Sequence, residues 1–219
     1  VQERALVEGG QQGQLGGLII ERGLVQRPDV SQYGLTAHLG LALVVYVNLL
    51  GILLSLTLNP GDHGSHPPRW GAFLILVMVA VTISSGGFVA GIKAGHAYNT
   101  FPLMGGQWLP PAGWMLEPGW RNLFENIATV QFVHRVLAVS TFATILYFWL
   151  RQGRREQLAR STRLAVHLLM LMAIIQVTLG ISTLLLQVPV PLAATHQAGA
   201  LLLLTAALLL NYRLGNRQA

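Results

Sequence analysis

Long apolar runs separated by short polar links dominate the sequence. A helix needs about 20 apolar residues to cross the hydrocarbon core of a bilayer, and backbone groups in lipid must pair within their own segment, so such runs predict helices. Five segments meet this requirement, and a sixth, which carries Glu8, several glycines and several glutamines, is weaker. The five are residues 35–58, 71–92, 128–150, 164–186 and 194–213, and the weaker one is residues 5–20. The pattern predicts an all-α polytopic membrane helix bundle with about six transmembrane helices.

Composition supports a lipid environment. Only 10% of the residues are charged and 53% are hydrophobic, whereas a soluble domain carries about 25% charged residues. The net charge of +6 does not indicate nucleic-acid binding, because the charges lie in the links between apolar segments and form no basic face. The chain has no cysteine, which excludes disulfides and thiolate metal sites and leaves seven histidines as the soft nitrogen ligands.

Basic residues in the links predict the orientation. Threading the helices alternately puts nine basic residues on the side of the link 151–163 and four on the other, with Arg135 inside a helix. The nine are Arg4, Arg69, Arg151, Arg154, Arg155, Arg160, Arg163, Arg213 and Arg217; the four are Arg22, Arg27, Lys93 and Arg121. By the positive-inside rule, residues 151–163 face the cytoplasm or mitochondrial matrix and the long link 93–127 lies outside. The predicted location is a bacterial plasma membrane or a mitochondrial inner membrane.

An internal repeat divides the chain. A Q-x-x-L-G string begins at Gln12 and again at Gln176, and each is followed after a loop by a histidine that opens an apolar segment, His38 and then His196. Segments 71–92 and 128–150 precede the second copy, so their counterparts are expected before Val1. We therefore expect the chain to be the C-terminal part of an eight-helix protein with two four-helix repeats. The predicted organisation is residues 1–58, the last two helices of the first half; residues 59–70, an inner loop; and residues 71–219, the second half.

Three histidines, His38, His134 and His196, each lie in the outer third of a helix predicted to run inward. An ionisable residue inside a membrane is costly and therefore indicates a partner or a function. Two neutral imidazoles that face each other across a bundle suit axial ligation of haem iron. The alternative is that each histidine only forms a hydrogen bond with a neighbouring helix.

Two polar residues accompany His134, namely Gln131 and Arg135. They are four residues apart and share a helix face. An arginine within the membrane needs an anion, which haem propionates or Glu125 would supply. The alternative is that Arg135 reaches the membrane surface or binds backbone carbonyls.

Several strings resemble the haem A synthase family of cytochrome oxidase assembly, and the resemblance covers about residues 12–210. They are GGFVAGIKAGHAYNTFPLMGGQW, WRNLFENIATVQFVHRVLA, QVTLGISTLL and THQAGALLLL, with RPDVSQYGLTAHLGLAL resembling the fourth helix of the family. The resemblance implies eight helices and a C-terminal half in which His134 and His196 ligate a haem b, with Gln131 and Arg135 as further cofactor-binding residues. It implies an N-terminal half that oxidises the C8 methyl of haem O to a formyl group, giving haem A, with His38 as a catalytic iron ligand.

The same resemblance implies that the protein binds haem O and haem A. It also implies haem O synthase and oxidase assembly factors as protein partners, and a homo-oligomer is possible. It places a glutamate and a second histidine of the substrate half upstream of Val1, so catalysis by this chain alone is not expected. The rival interpretations are a non-catalytic bis-histidine cytochrome b subunit that only transfers electrons, and a transporter or assembly scaffold with structural histidines.

Overall fold

The computed structural model describes residues 31–58, 69–154 and 158–215, and these ranges are mostly helical, with residues 97–118 as the longest non-helical stretch. The α-helices are α1 Gln32–Thr57, α2 Arg69–Gly91, α3 Asn122–Glu125, α4 Ile127–Gln152, α5 Arg160–Leu185 and α6 Val190–Gly215. Two 3₁₀ turns, Ala94–His96 and Gly119–Arg121, lie in the link between α2 and α3. Among the described residues, the sole bridge of β type joins Met104 to Gln107, and no strand forms.

Five of these helices, all but α3, are long and apolar enough to cross a membrane. Large apolar side chains such as Leu56 and Leu202 remain exposed on the protein surface, as expected where lipid covers them. The chain is therefore an integral membrane protein, and the predicted all-α class is confirmed. The predicted segment 5–20 lies outside the described residues.

Helices α5 and α6 begin four residues earlier than their predicted apolar segments. Helix α5 includes the polar turn that starts at Arg160, and α6 begins at Val190 with Pro191 in its first turn. Apolarity marks the part of a helix that lies in lipid, whereas proline is tolerated in a first turn because its missing N–H would have no helical partner. His196 therefore lies about two turns inside its helix rather than at its start.

The described chain divides into two compact units whose boundaries fall mostly within helices. The first unit contains the described residues up to Leu49, together with Thr82–Val136 and Leu184–Val188. Within this unit α1 packs closely on α2. A Cβ atom at Gly87 would lie 2.9 Å from the Thr36 hydroxyl oxygen, and one at Gly91 would lie 2.6 Å from the Cα of Gln32. Glycine thus permits an approach that any other residue would prevent.

The second unit contains the described parts of 50–81, 137–183 and 189–219. Ile75, Ile145 and Leu169 are almost completely buried in its apolar interior. Polar contacts join its helices near their ends, since Asn211 donates to the Ala72 carbonyl at 2.9 Å and the Arg69 guanidinium donates to the Leu214 carbonyl at 2.7 Å.

Candidate functional site

The helix that carries His134 is fixed at its start by Asn126. The Asn126 side-chain oxygen accepts hydrogen bonds from the backbone N–H groups of Ala128 at 2.9 Å and Thr129 at 3.1 Å, which caps α4. The Thr129 hydroxyl donates to the Gly113 carbonyl, and the Asn126 amide donates to the Ala112 carbonyl at 2.8 Å. The first turn of α4 is thereby attached to the link 93–127.

His134 is held by α2. Its Nδ1 lies 2.7 Å from the Ser85 hydroxyl oxygen, and that oxygen lies 2.7 Å from the Thr82 carbonyl oxygen. A Cβ atom on Gly86 would lie 3.4 Å from Cε1 of the imidazole, so the ring rests against the backbone of α2 at a residue without a side chain. These contacts fix the position of the imidazole ring and give its Nδ1 a hydrogen-bond partner.

Gln131 and Arg135 bind the start of the link that follows α2. The Arg135 guanidinium donates to the carbonyls of Tyr98 at 2.7 Å and Thr100 at 2.8 Å, and the Gln131 amide donates to the Tyr98 carbonyl at 3.2 Å. The backbone carbonyls named as an alternative for Arg135 are thus its partners here. Arg135 Nε and Gln131 Oε1 are buried without a hydrogen-bond partner among the described residues. A direct contact of either residue with a cofactor stays a prediction.

Glu125, the other anion considered for Arg135, is bound elsewhere. Arg121 contacts Glu125 Oε2 at 2.5 Å from Nη2 and 2.9 Å from Nε, and the Tyr33 hydroxyl donates to Oε1 at 2.9 Å. Hydrogen bonding by Arg121, and then by Tyr33, lowers the pKa of the Glu125 carboxyl below its ordinary value. This triad joins the start of α1 to the short helix before α4.

His196 is held by α5. The Gln176 amide nitrogen lies 3.1 Å from His196 Nδ1 and 3.0 Å from the His196 carbonyl oxygen. A Cβ atom on Gly180 would lie 2.9 Å from Cε1 of the imidazole. The other amide atom, Gln176 Oε1, lies against Gly199, where an added Cβ would collide with it. His196 therefore resembles His134 in two respects: its ring lies over a glycine, and its Nδ1 contacts a polar side chain of a neighbouring helix.

His38 differs from the other two. It lies on α1, partly exposed, and its Nδ1 is buried without a hydrogen-bond partner among the residues that the structure describes. The alternative that His38 merely bonds a neighbouring helix is therefore not supported at Nδ1 within the described ranges. His38 and His134 lie in the first unit, and His196 lies in the second.

The remaining described histidines have ordinary environments. The Trp149 indole donates to Nδ1 of His167 at 2.9 Å, in agreement with a structural role, and His96 is exposed in a 3₁₀ turn. His63 and His66 lie outside the described residues.

The sequence alone did not identify Ser85 as a partner of a histidine, and it identified Gln176 only as part of a repeat. The sequence did contain a signal for Gln176, because Gln176 and Gly180 of the Q-x-x-L-G string are four residues apart and therefore share a helix face. In the structure both residues contact His196. No comparable signal existed for Ser85, since a single serine in an apolar helix commonly bonds its own backbone.

Comparison with known proteins gives a consistent result. Residues 4–208 match the family described as cytochrome oxidase assembly protein, COX15-CtaA. The chain is 50% identical over 211 residues to the Heme A synthase of Nitrosospira multiformis, covering 94% of this chain and 59% of that protein. It is 46% identical over 209 residues to Heme A synthase COX15 of Homo sapiens, covering 90% and 50% respectively. The Heme A synthase of Rhodospirillum centenum is 44% identical over 200 residues, with 89% and 52% covered. The chain thus spans between 50% and 59% of the length of these three relatives.

Proposed function

Because the chain belongs to the family of cytochrome oxidase assembly proteins, we propose that it forms the haem b-binding portion of a haem A synthase. The reaction oxidises the C8 methyl group of haem O, the substrate, to the formyl group of haem A through successive oxidations. The product, haem A, is used in the assembly of cytochrome oxidase. The relatives named above carry the name of this activity, and the strings that contain His38, His134 and His196 resemble those of the family.

The proposed ligands of haem b are His134 and His196. The observation that carries the proposal is their shared environment, in which each ring lies over a glycine and each Nδ1 meets a polar side chain. Metal-ligating histidines usually donate a hydrogen bond from their second ring nitrogen to such a partner, and a ring that does so from Nδ1 would ligate through Nε2. The surroundings of each imidazole therefore suit a haem ligand, and His134 and His196 are the residues that would hold the haem. When bound, haem b would supply an acceptor for the electrons removed from the substrate methyl.

Arg135 and Gln131 are proposed to contact this cofactor at its acidic edge. Arg135 holds the link at Tyr98 and Thr100, and its buried Nε lacks a partner among the described residues. A propionate would satisfy such a donor with a charge-assisted hydrogen bond.

His38 is proposed to serve the substrate. It is the repeat counterpart of His196, and its buried Nδ1 has no partner among the described residues. In the proposed organisation, residues 1–58 belong to the substrate half, residues 59–70 to an inner loop and residues 71–219 to the haem b half. The basic link 151–163 is proposed to face the cytoplasm or matrix, in a bacterial plasma membrane or a mitochondrial inner membrane. Haem O synthase and oxidase assembly factors are the proposed partners.

A non-catalytic cytochrome b subunit would use the same pair of ligands, so the test must separate electron transfer from synthesis. In full-length protein supplied with haem O, His38→Ala should abolish haem A formation, measured by chromatography of extracted haems. It should leave the haem b spectrum nearly intact, because His134 and His196 are unchanged. The matched control is His167→Gln, which removes a histidine that contacts Trp149 and should keep normal haem A formation.

Two results would contradict the proposal. Near-normal haem A formation by a His38→Gln protein would remove His38 from the substrate site. A full-length wild-type protein that binds haem b but never forms haem A would favour the cytochrome b interpretation.

A further inference from the structure

We propose that Ser85 and Gln176 are positioning residues that determine which ring nitrogen of His134 and of His196 carries the proton. The two histidines are thereby held in opposite tautomers. Ser85 holds His134 with the proton on Nδ1, the form that ligates iron through Nε2. Gln176 holds His196 with the proton on Nε2, so that haem binding requires the Gln176 amide to rotate. The consequence for haem rests on the proposed function, whereas the two tautomers are properties of the protein without haem.

Ser85 is assigned by counting protons. A serine hydroxyl has one proton to donate and two lone pairs that accept. The Thr82 carbonyl can only accept, and it lies 2.7 Å from Ser85 Oγ. The hydroxyl therefore donates to Thr82 and accepts from the His134 ring, whose Nδ1 lies 2.7 Å away. That arrangement needs a proton on Nδ1 and leaves the lone pair on Nε2.

Gln176 is assigned by the same reasoning with the opposite result. Its NH₂ group lies 3.0 Å from the His196 carbonyl oxygen and 3.1 Å from Nδ1, and an amide nitrogen has two protons and no lone pair to offer. Both protons are donated, so Nδ1 is the acceptor and the ring proton lies on Nε2. In this form Nε2 cannot bind iron without losing its proton.

Rotation of the Gln176 amide would break no hydrogen bond at Oε1 among the described residues. Its Oε1 is buried without a partner among the described residues and lies against Gly199, where there is no side chain. Rotation of the amide by half a turn would exchange Oε1 and the NH₂ group, so that Oε1 faces Nδ1 and the NH₂ group lies against Gly199. The ring would lose its proton from Nε2 and bind one at Nδ1, from which it donates to Oε1. The His196 carbonyl then loses its donor. His134 therefore already has the tautomer that ligates through Nε2, whereas His196 acquires that tautomer only when the bond to iron compensates for the rearrangement.

The direct experiment uses haem-free protein labelled with ¹⁵N at histidine and reconstituted in lipid. Ring nitrogen chemical shifts in solid-state NMR distinguish the two tautomers, and His134→Gln and His196→Gln variants assign the signals. The expected result is a proton on Nδ1 of His134 and on Nε2 of His196. The same tautomer at both histidines would overturn the proposal, and this outcome does not depend on any haem chemistry.

The second experiment uses haem-loaded protein and measures haem affinity, the midpoint potential and the electron paramagnetic resonance of the ferric form. Ser85→Ala should weaken haem binding by about 10–100-fold, as loss of a partner of a ligating histidine usually does, and Ser85→Thr should restore it. Gln176→Glu has nearly the same shape, and an ionised carboxylate accepts the Nδ1 proton more strongly than an amide oxygen. It should therefore make the imidazole a more basic ligand and shift the midpoint potential to lower values. Thr178→Val, which removes a hydroxyl bonded only within α5, is the matched control and should change neither quantity.

Unchanged affinity, potential and resonance in both Ser85→Ala and Gln176→Glu would overturn the positioning roles while leaving haem binding by His134 and His196 intact. Absence of low-spin haem from the wild-type protein would instead overturn the proposed function, and the tautomers in the haem-free protein would then decide the present proposal alone.

Discussion

The three histidines proposed as iron ligands differ in what their Nδ1 atoms contact. Nδ1 of His134 contacts a hydroxyl, that of His196 contacts an amide, and that of His38 is buried without a partner among the described residues. A polar atom inside a membrane is costly unless it is paired, so these differences bear on function more directly than the mere presence of histidine.

The Glu125 carboxylate, which lies outside the spanning segments, predicts that the stability of the protein depends on pH. Hydrogen bonds from Arg121 and then Tyr33 depress the pKa of Glu125. The stabilisation that they provide is therefore complete above the carboxyl pKa of the unfolded chain, about 4.3, and is lost as the pH falls through the lower pKa of the folded protein. Thermal unfolding followed between neutral and acidic pH should show this loss in the wild type.

The Glu125→Gln variant should have a lower unfolding temperature than the wild type at neutral pH, and the difference should shrink in acid. Glu117→Gln, which alters an exposed carboxylate in the same link, is the control. A constant difference across the acidic range would show that the charge of Glu125 does not stabilise the triad.

Among residues, the sequence predicted the histidines better than their partners. An ionisable side chain within an apolar run is visible in one dimension, because lipid makes it costly. The contact between Ser85 and His134 joins residues that are 49 positions apart and depends on how two helices approach. Likewise, the carbonyl partners of Arg135 depend on the path of the link at Tyr98 and Thr100, which no periodic pattern encodes.

Between helices, glycine decides how closely the histidine rings approach their neighbours. A Cβ atom at Gly180 would lie 2.9 Å from the His196 ring, closer than real Cβ contacts. Gly180→Ala should therefore displace the ring or its helix at a cost of about 1–3 kcal/mol. The expected result is a lower unfolding temperature and lower haem occupancy.

The matched control for this variant is Gly51→Ala on α1, where nothing lies within 4 Å of the added methyl group. Alanine is the better helix former, so the control should be neutral or stabilising. Equal behaviour of the two variants in thermal unfolding and in haem content would contradict the assigned contact between Gly180 and His196.

Helix bounds could be predicted from the sequence because the bilayer imposes both length and apolarity on a spanning segment. The structure places α2 at Arg69–Gly91, where the sequence predicted 71–92. The irregular link 93–127 could not be predicted in the same way. Its order depends on asparagine side chains that bond backbone groups elsewhere in the link, such as Asn122 with Leu116 and Gly119 and Asn126 with Ala112.

At the scale of the whole molecule, the distribution of basic residues predicts how the protein is oriented in its membrane. With the nine basic residues inside, the link 93–127 is outside and the link 151–163 is inside. Single cysteines at Leu109 and Arg154, both exposed, can be tested with an impermeant thiol reagent in a chain that has no cysteine of its own. Reaction at residue 109 but not at residue 154 in sealed cells or mitoplasts is expected, and the reverse pattern would invert the topology.

The central claim is that His134 and His196 bind one haem iron, and the spectrum of the purified protein tests it most directly. The wild type should show a low-spin bis-histidine haem b in its reduced absorption spectrum and in the resonance of its ferric form. His134→Ala and His196→Ala should each lose that signal, whereas His134→Met and His196→Met should alter it, because a thioether can also ligate haem iron. An unchanged low-spin haem in both alanine variants would contradict the account.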